Sequence, residues 1–150
     1  MIKASPPTIS ILENGMVIII HRNGVDSFVR SEFWSLSNVL KLKNRTDGVQ
    51  VYFIDNEYYF GGRTGAIYGD LDDGERYAFF SRACLDAMAI IGYIPDVIQC
   101  NDWQTALIPT YLKSVYRSLF PNTRCMYTIH NIEYQGWANA SFFDDVLGLP

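Results

Sequence analysis

Two short polar clusters in the sequence combine residue types that can do chemistry at one site. Asn101-Asp102-Trp103 follows the apolar segment 97–100, and His130-Asn131 follows the apolar segment 125–129. Both segments have the pattern of buried strands, and open parallel sheets bind ligands beyond the carboxyl ends of their strands. A carboxylate, an imidazole, an amide and an indole together offer several hydroxyl partners and one apolar face. If the two strands are neighbours, the clusters predict a sugar-binding crevice.

Each residue also has a plain structural interpretation. Asp102 can be the cap of the helix that follows it. His130 can be a strand-end histidine that is hydrogen-bonded to the backbone. Because both residues follow consecutive strands, the pattern favours the functional interpretation.

Two other motifs are weaker candidates. The glycine-rich segment 61–65 lacks the Lys-Ser/Thr ending of a phosphate loop and predicts a surface loop. Asp70, Asp72, Asp73 and Glu75 form an acidic run without the spacing of a calcium loop. Negative charge at the start of a helix explains this run better, so no metal site is predicted.

From residue 49 onward, strand and helix patterns alternate. Residues 49–54, 97–100 and 125–129 are β-branched or apolar runs that predict strands. Asp72 or Asp73 can cap a helix that Gly92 and Pro95 end. The inward face of that helix is predicted to contain Tyr77, Phe80, Cys84, Ala87 and Ile91.

A second helix is predicted from Trp103 to about Leu119, with a kink at Pro109. Its inward residues are predicted to be Leu107, Ile108, Leu112, Val115 and Leu119. Residues 141–147 predict a further short helix. Strands that alternate with helices over short links predict an α/β fold with a Rossmann-like, doubly wound parallel sheet and right-handed crossovers.

Residues 1–48 differ from the rest and form a β-rich segment in this interpretation. Apolar runs at 8–12 and 16–21 flank Glu13-Asn14-Gly15, which is typical of a hairpin turn. After Asp26 or Ser27, the apolar residues from Phe28 to Leu40 predict a helix. We therefore expect two regions, 1–48 and 49–150.

Composition excludes several classes of function. The chain has 150 residues, 49% hydrophobic and 19% charged, and a net charge of -4, which argues against nucleic acid as a partner. No apolar run approaches the ~20 residues of a membrane span, and the start lacks an export signal, so a cytoplasmic location is expected. The odd count of three cysteines predicts small buried thiols rather than disulfides or zinc ligands.

A series of motifs closely resembles the N-terminal, acceptor-side domain of ADP-glucose-dependent glycogen and starch synthases of the bacterial type. The matching stretches are YFIDNEYYF at 52–60, YG at 68–69, DDGERYAFFSRA at 72–83, PDVI at 95–98, NDWQTALIP at 101–109, YTIHNIEYQG at 127–136 and LGLP at 147–150. They cover about two-thirds of the chain, in order. Such a series is far more specific than any one of its members.

The resemblance implies a fragment of a GT-B glucosyltransferase that works with retention and needs no metal or cofactor. Such an enzyme moves glucose from a sugar nucleotide, ADP-glucose, to the non-reducing end of an α-1,4-glucan. His130 and Asn131 match the family motif that lines the pocket for the transferred glucose, and Asp102 and Trp103 match the Asp-Trp motif of the same cleft. On this basis we predict His130 and Asp102 to be catalytic, and Trp103 and Asn131 to bind substrate. Arg76 is expected to be structural.

Two family features do not occur in this sequence. The Lys-x-Gly-Gly loop that grips the donor phosphates has no counterpart, and the C-terminal nucleotide-binding domain is absent. We therefore expect the isolated chain to be inactive and prone to self-association through surface that missing segments would cover. The alternatives are a non-catalytic module that binds a glucan or a partner, and a different GT-B transferase that shares only the fold.

Overall fold

The computed structural model describes five stretches of the chain. Backbone is described for residues 8–10, 16–20, 37–41, 50–61 and 69–149, and side chains for 51–54, 56–61 and 69–149. The strands are Thr8–Ser10 (β1), Met16–Ile20 (β2), Ser37–Lys41 (β3), Gln50–Asn56 (β4), Val97–Asn101 (β5) and Arg124–Thr128 (β6). The α-helices are Glu57–Phe60 (α1), Asp73–Ile90 (α2) and Leu107–Lys113 (α3), with a 3-10 helix at Trp103–Thr105 and a π-helix at Phe143–Leu147.

The described strands form one mixed sheet in the order β3-β4-β2-β1-β5-β6. β2 pairs with β4, and β5 with β6, in parallel, while β1 is antiparallel to both of its neighbours. The predicted α/β class is confirmed, although β1 and β3 make the sheet mixed rather than wholly parallel. Since β5 and β6 are neighbours in parallel, their carboxyl ends lie at the same edge of the sheet.

The segment before residue 49 joins this sheet. β1 and β2 pair antiparallel with Ile9 opposite Ile18, as the predicted hairpin requires, and the turn itself lies outside the described residues. The helix predicted between Phe28 and Leu40 is wrong at its C-terminal end. Residues 37–41 form β3, because Val39 and Leu40 pair with Ile54 and Phe53 of β4, a contact that local periodicity cannot reveal.

Helix α2 covers one face of the sheet and supplies much of the core. Tyr77, Phe80, Cys84 and Ala87 of its predicted inward face are buried. Ile54 of β4, together with Ile98 and Cys100 of β5, packs in the same cluster. Burial of this apolar surface stabilises the fold by roughly 25 cal/mol per Å².

The helix predicted from Trp103 to Leu119 is much shorter in the structure. A 3-10 turn precedes α3, which ends at Lys113, and Val115 and Leu119 are exposed rather than inward. Pro109 has no N–H to donate to the preceding turn, so an α-helix cannot run unbroken from residue 103. Because α3 starts only two residues earlier, Pro109 lies in its first turn, where a missing N–H costs little.

The acidic run lies around a buried guanidinium at the start of α2. Arg76 is 1% exposed and lies 3.1 Å from Asp70, 3.6 Å from Asp72 and in direct contact with Asp73. The side chain of Asp72 makes no cap hydrogen bond to the helix. The single positive charge of Arg76 is therefore shared among three aspartates and offsets part of their negative charge, which agrees with the structural role expected for Arg76.

The cysteines pack as small apolar groups. Cys84 and Cys100 are buried and Cys125 is half-buried, all as free thiols. Cys100 and Cys125 lie on the neighbouring strands β5 and β6. Burial raises the pKa of the Cys84 thiol well above its usual value, which keeps it protonated.

Within the described ranges, none of the helices has the length and apolar character needed to cross a membrane.

A candidate sugar-binding cleft at the ends of β5 and β6

The carboxyl ends of β5 and β6 are tied together by the residues that follow them. The N–H of Asp102 donates to the carbonyl of Thr128 at 2.9 Å, which extends the ladder by one step. In return, the backbone N–H of His130 donates to Oδ1 of Asp102 at 2.7 Å. Two sequence clusters that are far apart in the chain thus meet at one point.

Asp102 reaches this position only in a strained backbone conformation. Its φ is 57° and its ψ is 179°, a combination that residues other than glycine rarely adopt. Among the described residues, Asp102 is the one non-glycine residue with positive φ. Strain of this kind costs on the order of 1–3 kcal/mol and persists where surrounding contacts hold it. Here the hydrogen bonds to Thr128 and His130 hold it.

Thr105 anchors the turn that leads away from Asp102. Its hydroxyl donates to the carbonyls of Asn101 at 2.8 Å and Asp102 at 3.2 Å, and its side chain is fully buried. The carbonyls at the end of β5 and directly after it are thereby satisfied. The 3-10 turn that carries Trp103 is consequently fixed to the end of β5.

The side chain of His130 is exposed and lies beside Asn101. Its Nε2 is 3.0 Å from Oδ1 of Asn101, so the tautomer with a proton on Nε2 donates to that amide. Nδ1 is then an acceptor. An exposed imidazole oriented in this way can exchange hydrogen bonds with a ligand at the strand ends.

Asn131 is engaged mainly in shaping the loop. Its Oδ1 accepts from the N–H of Glu133 at 3.0 Å, and its carbonyl accepts from the N–H of Tyr134 at 3.2 Å. The predicted substrate contact would therefore have to use its amide NH₂. This role remains a prediction.

A cleft of about 280 Å³ opens beside these strand ends. Its lining residues come from the turn after β5, from β6 and from the loop after β6, and they are Asp102, Trp103, Tyr127, Ile129, Ile132, Tyr134, Gln135 and Gly136. Asp102 and Trp103 thus line it as expected, whereas His130 and Asn131 are not among its lining residues. The lining combines a carboxylate, an amide and a phenol with apolar faces, which suits a ligand rich in hydroxyl groups.

Tyr127 presents a neutral phenol to the cleft. Burial raises the pKa of Tyr127 above its usual value, and the charge of the Asp102 carboxylate raises it further. The hydroxyl therefore stays protonated at neutral pH and can both donate and accept. Sequence reasoning missed this residue, although it opens the YTIHN motif.

Sequence reasoning also missed Tyr77 and Gly136 as neighbours of the cleft. The ring of Tyr77 meets the Trp103 indole edge to face, with centroids 4.9 Å apart, and Gly136, which also lines the cleft, lies against the indole. The motif YTIHNIEYQG contains Gly136, which was the available signal. Its contact with Trp103 is not visible in the sequence.

Three comparisons place this geometry among known proteins. The family model described as the starch synthase catalytic domain matches residues 11–150. The glycogen synthase of Desulfitobacterium hafniense is 47% identical over 106 residues, which is 69% of this chain and 22% of that protein. The glycogen synthase of Exiguobacterium sibiricum is 48% identical over 115 residues, 74% of this chain and 23% of that protein.

A solved structure agrees with the sequence relatives. The catalytic domain of starch synthase IV from Arabidopsis thaliana, bound to ADP and acarbose, matches with a TM-score of 0.66 and 34% identity. The match covers 85% of this chain and 26% of that chain. The present chain thus spans about a quarter of the length of the proteins that it matches.

Proposed function

This chain belongs to the family of starch synthase catalytic domains, and we propose that it forms the acceptor-side wall of a glucosyl-transfer cleft. The whole enzyme would transfer glucose from ADP-glucose to the non-reducing end of an α-1,4-glucan, with retention and without a metal or cofactor. Support comes from relatives named glycogen synthase and from a structural neighbour bound to ADP and acarbose. The division of the chain into regions 1–48 and 49–150 stays a prediction. β2 of the first region and β4 of the second pair in one sheet.

One observation carries the proposal most directly. The Oδ1 atom of Asp102 holds the backbone of His130 at 2.7 Å, so the two predicted catalytic residues stand at adjacent strand ends beside the cleft. Glucosyl transfer develops positive charge on the sugar ring, which nearby negative potential and oriented hydrogen bonds stabilise. Asp102 supplies that potential, and His130 and Tyr127 supply hydrogen-bonding groups.

Donor phosphates require a different part of the enzyme. None of the eight residues that line the cleft is a lysine or an arginine. A diphosphate is bound most strongly by charge-assisted hydrogen bonds from such side chains. We therefore assign nucleotide binding to parts of the enzyme beyond this cleft wall.

The isolated chain is expected to show no glucosyl transfer from ADP-glucose to glycogen, because the described cleft offers no lysine or arginine to the donor phosphates. Radiolabelled ADP-glucose and glycogen measure this directly. The positive control is a chimaera in which residues 49–150 of this chain replace the corresponding stretch of the D. hafniense glycogen synthase. Transfer by the chimaera is the expected result, and an inactive but folded chimaera would contradict the proposed function. Turnover by the chain alone would contradict the assignment of donor binding.

A second candidate is a module that binds a glucan without transferring glucose. Exposed side chains follow the cleft along the loop after β6, with Ile132 64%, Tyr134 61% and Trp137 87% exposed. Aromatic faces of this kind can stack on sugars. Tight binding of glycogen by the chain, together with an inactive chimaera, would favour this module over the transferase.

Self-association is proposed to occur at the free edge of the sheet. β6 pairs only with β5 in the described part of the sheet, and Met126 and Tyr127 on it are 42% and 40% exposed. Unpaired edges are templates for another strand. Sedimentation velocity on the chain is expected to show dimers or larger species that increase with concentration, and a monomer throughout would refute this.

The proposed enzyme is also expected to be cytoplasmic, and cell fractionation can check this location.

A further inference from the structure

The indole of Trp103 contacts two residues that the proposed mechanism does not use. The ring of Tyr77 meets it at 82° with centroids 4.9 Å apart. A Cβ placed on Gly136 would lie 2.5 Å from Cε3 and 3.1 Å from Cδ2 of the indole. The backbone at Gly136 therefore packs directly on the face or edge of Trp103, where no side chain fits.

Space, not backbone conformation, explains the glycine at position 136. Gly92 and Gly148 have φ values of 70° and 56°, which by themselves favour glycine, whereas Gly136 is not among the residues with positive φ. A contact at 2.5 Å is one that real Cβ atoms essentially never make. Since Tyr77 is 2% exposed and packed in the core, the indole has little room to retreat from an added methyl group.

The contact also joins the two sides of the cleft. Trp103 belongs to the turn after β5, and Gly136 belongs to the loop after β6 that also carries Ile132, Tyr134 and Gln135. The Trp103–Gly136 contact thus sets the distance between the wall from β5 and the loop that faces it. Any group at position 136 must displace the loop, the indole or both.

We propose that Tyr77 and Gly136 are positioning residues that fix the Trp103 indole as the apolar face on which a sugar ring of the substrate rests. This inference rests on the proposed function, and it deepens it by naming how the sugar-facing surface is held. Neither residue reacts with substrate. Their effect is transmitted through the position of one aromatic ring.

Kinetics of the chimaera test this role. Gly136→Ala is expected to raise KM by about tenfold for a sugar substrate, since an aromatic contact of this kind contributes about that factor to binding. KM is measured separately for glycogen and for ADP-glucose. We expect kcat to change less, because weaker uniform binding raises KM alone. The matched control is Gly74→Ala, whose added Cβ would meet only the ring end of Phe142 at 3.0 Å, and it should leave both constants unchanged.

A double-mutant cycle separates positioning from general damage. Trp103→Ala is expected to raise KM by itself, and Gly136→Ala should then add little, because the ring through which it acts is gone. Additive effects of the two substitutions would overturn the proposal, as would an unchanged KM in Gly136→Ala.

A spectroscopic test on the full chain is independent of activity. In chain labelled with 5-fluorotryptophan, the Trp103 resonance is assigned by its loss in Trp103→Phe. Gly136→Ala is expected to shift that ¹⁹F resonance, and Gly74→Ala is expected to leave it in place. An unshifted resonance would overturn the proposed contact whatever the chimaera does. Conversely, an inactive chimaera with a shifted resonance would refute the proposed function alone.

Discussion

Replacement of His130 by alanine in the chimaera is expected to lower kcat for glucosyl transfer by about 10²–10³-fold, the usual effect of removing one preorganised hydrogen-bonding group from a transition-state site. The backbone of His130 is fixed by Asp102, and its ring is oriented by Asn101 at 3.0 Å. The substitution removes the imidazole without disturbing the backbone hydrogen bond. Initial rates with ADP-glucose at saturating glycogen measure the effect.

The matched control lies in the same loop. The exposed side chain of Glu133 lies in the same loop and is not one of the groups proposed to act in glucosyl transfer, so Glu133→Ala should keep kcat near that of the unaltered chimaera. If His130→Ala retained the full kcat, the assignment of His130 as a catalytic residue would be wrong. Equal losses in both variants would point to the loop as a whole and would also contradict it.

Two substitutions at Asp102 are expected to differ strongly. Asp102→Ala removes both the negative charge and the acceptor for the His130 N–H, and we expect kcat to fall by about 10³-fold. Asp102→Asn keeps an oxygen in the place of Oδ1 that can still accept from the His130 N–H, so its loss should be nearer tenfold. The measurement is kcat for both variants, with thermal unfolding to confirm that each is folded.

The pKa of Tyr127 provides an independent readout for the same two Asp102 variants. The Asp102 charge contributes to the raised pKa of Tyr127, so both variants should lower that pKa toward its usual value. Titration of the Tyr127 ring by NMR in the full chain measures the shift in its pKa.

If Asp102→Asn impaired kcat as severely as Asp102→Ala, the hydrogen bond from the His130 N–H to Asp102 would not matter for catalysis. The argument that Asp102 positions His130 would then fail.

Much of the candidate site could be predicted from the sequence, because strand ends carry a local signature. An apolar run followed by Asn101-Asp102 or His130-Asn131 marks where a buried strand leaves the sheet. The parallel pairing of β5 and β6 then brings the two ends together, as expected. The roles of Asp102, Trp103, His130 and Asn131 rest on the motifs and stay predictions.

Other expectations failed where strand pairing between distant residues, or the early end of a helix, outweighed the local pattern of apolar residues. Residues 37–41 pair with β4 and become a strand, although their apolar spacing also fits a helix. Val115 and Leu119 continue the helical spacing of α3, but the helix ends at Lys113 and leaves both exposed. The spacing of apolar residues indicates which side chains could share one face of a helix. It does not indicate the residue at which the helix ends.

What the sequence by itself determined is the family, the α/β class and the identity of the polar groups at two strand ends. These follow from residue types at short spacing, which local physics and motif order make readable. Only the tertiary structure decided that β1 lies antiparallel between β2 and β5, that Asp102 adopts positive φ, and that Gly136 packs on Trp103. Each of these depends on contacts between residues far apart in the chain, whose geometry arises only when the sheet and helices pack together.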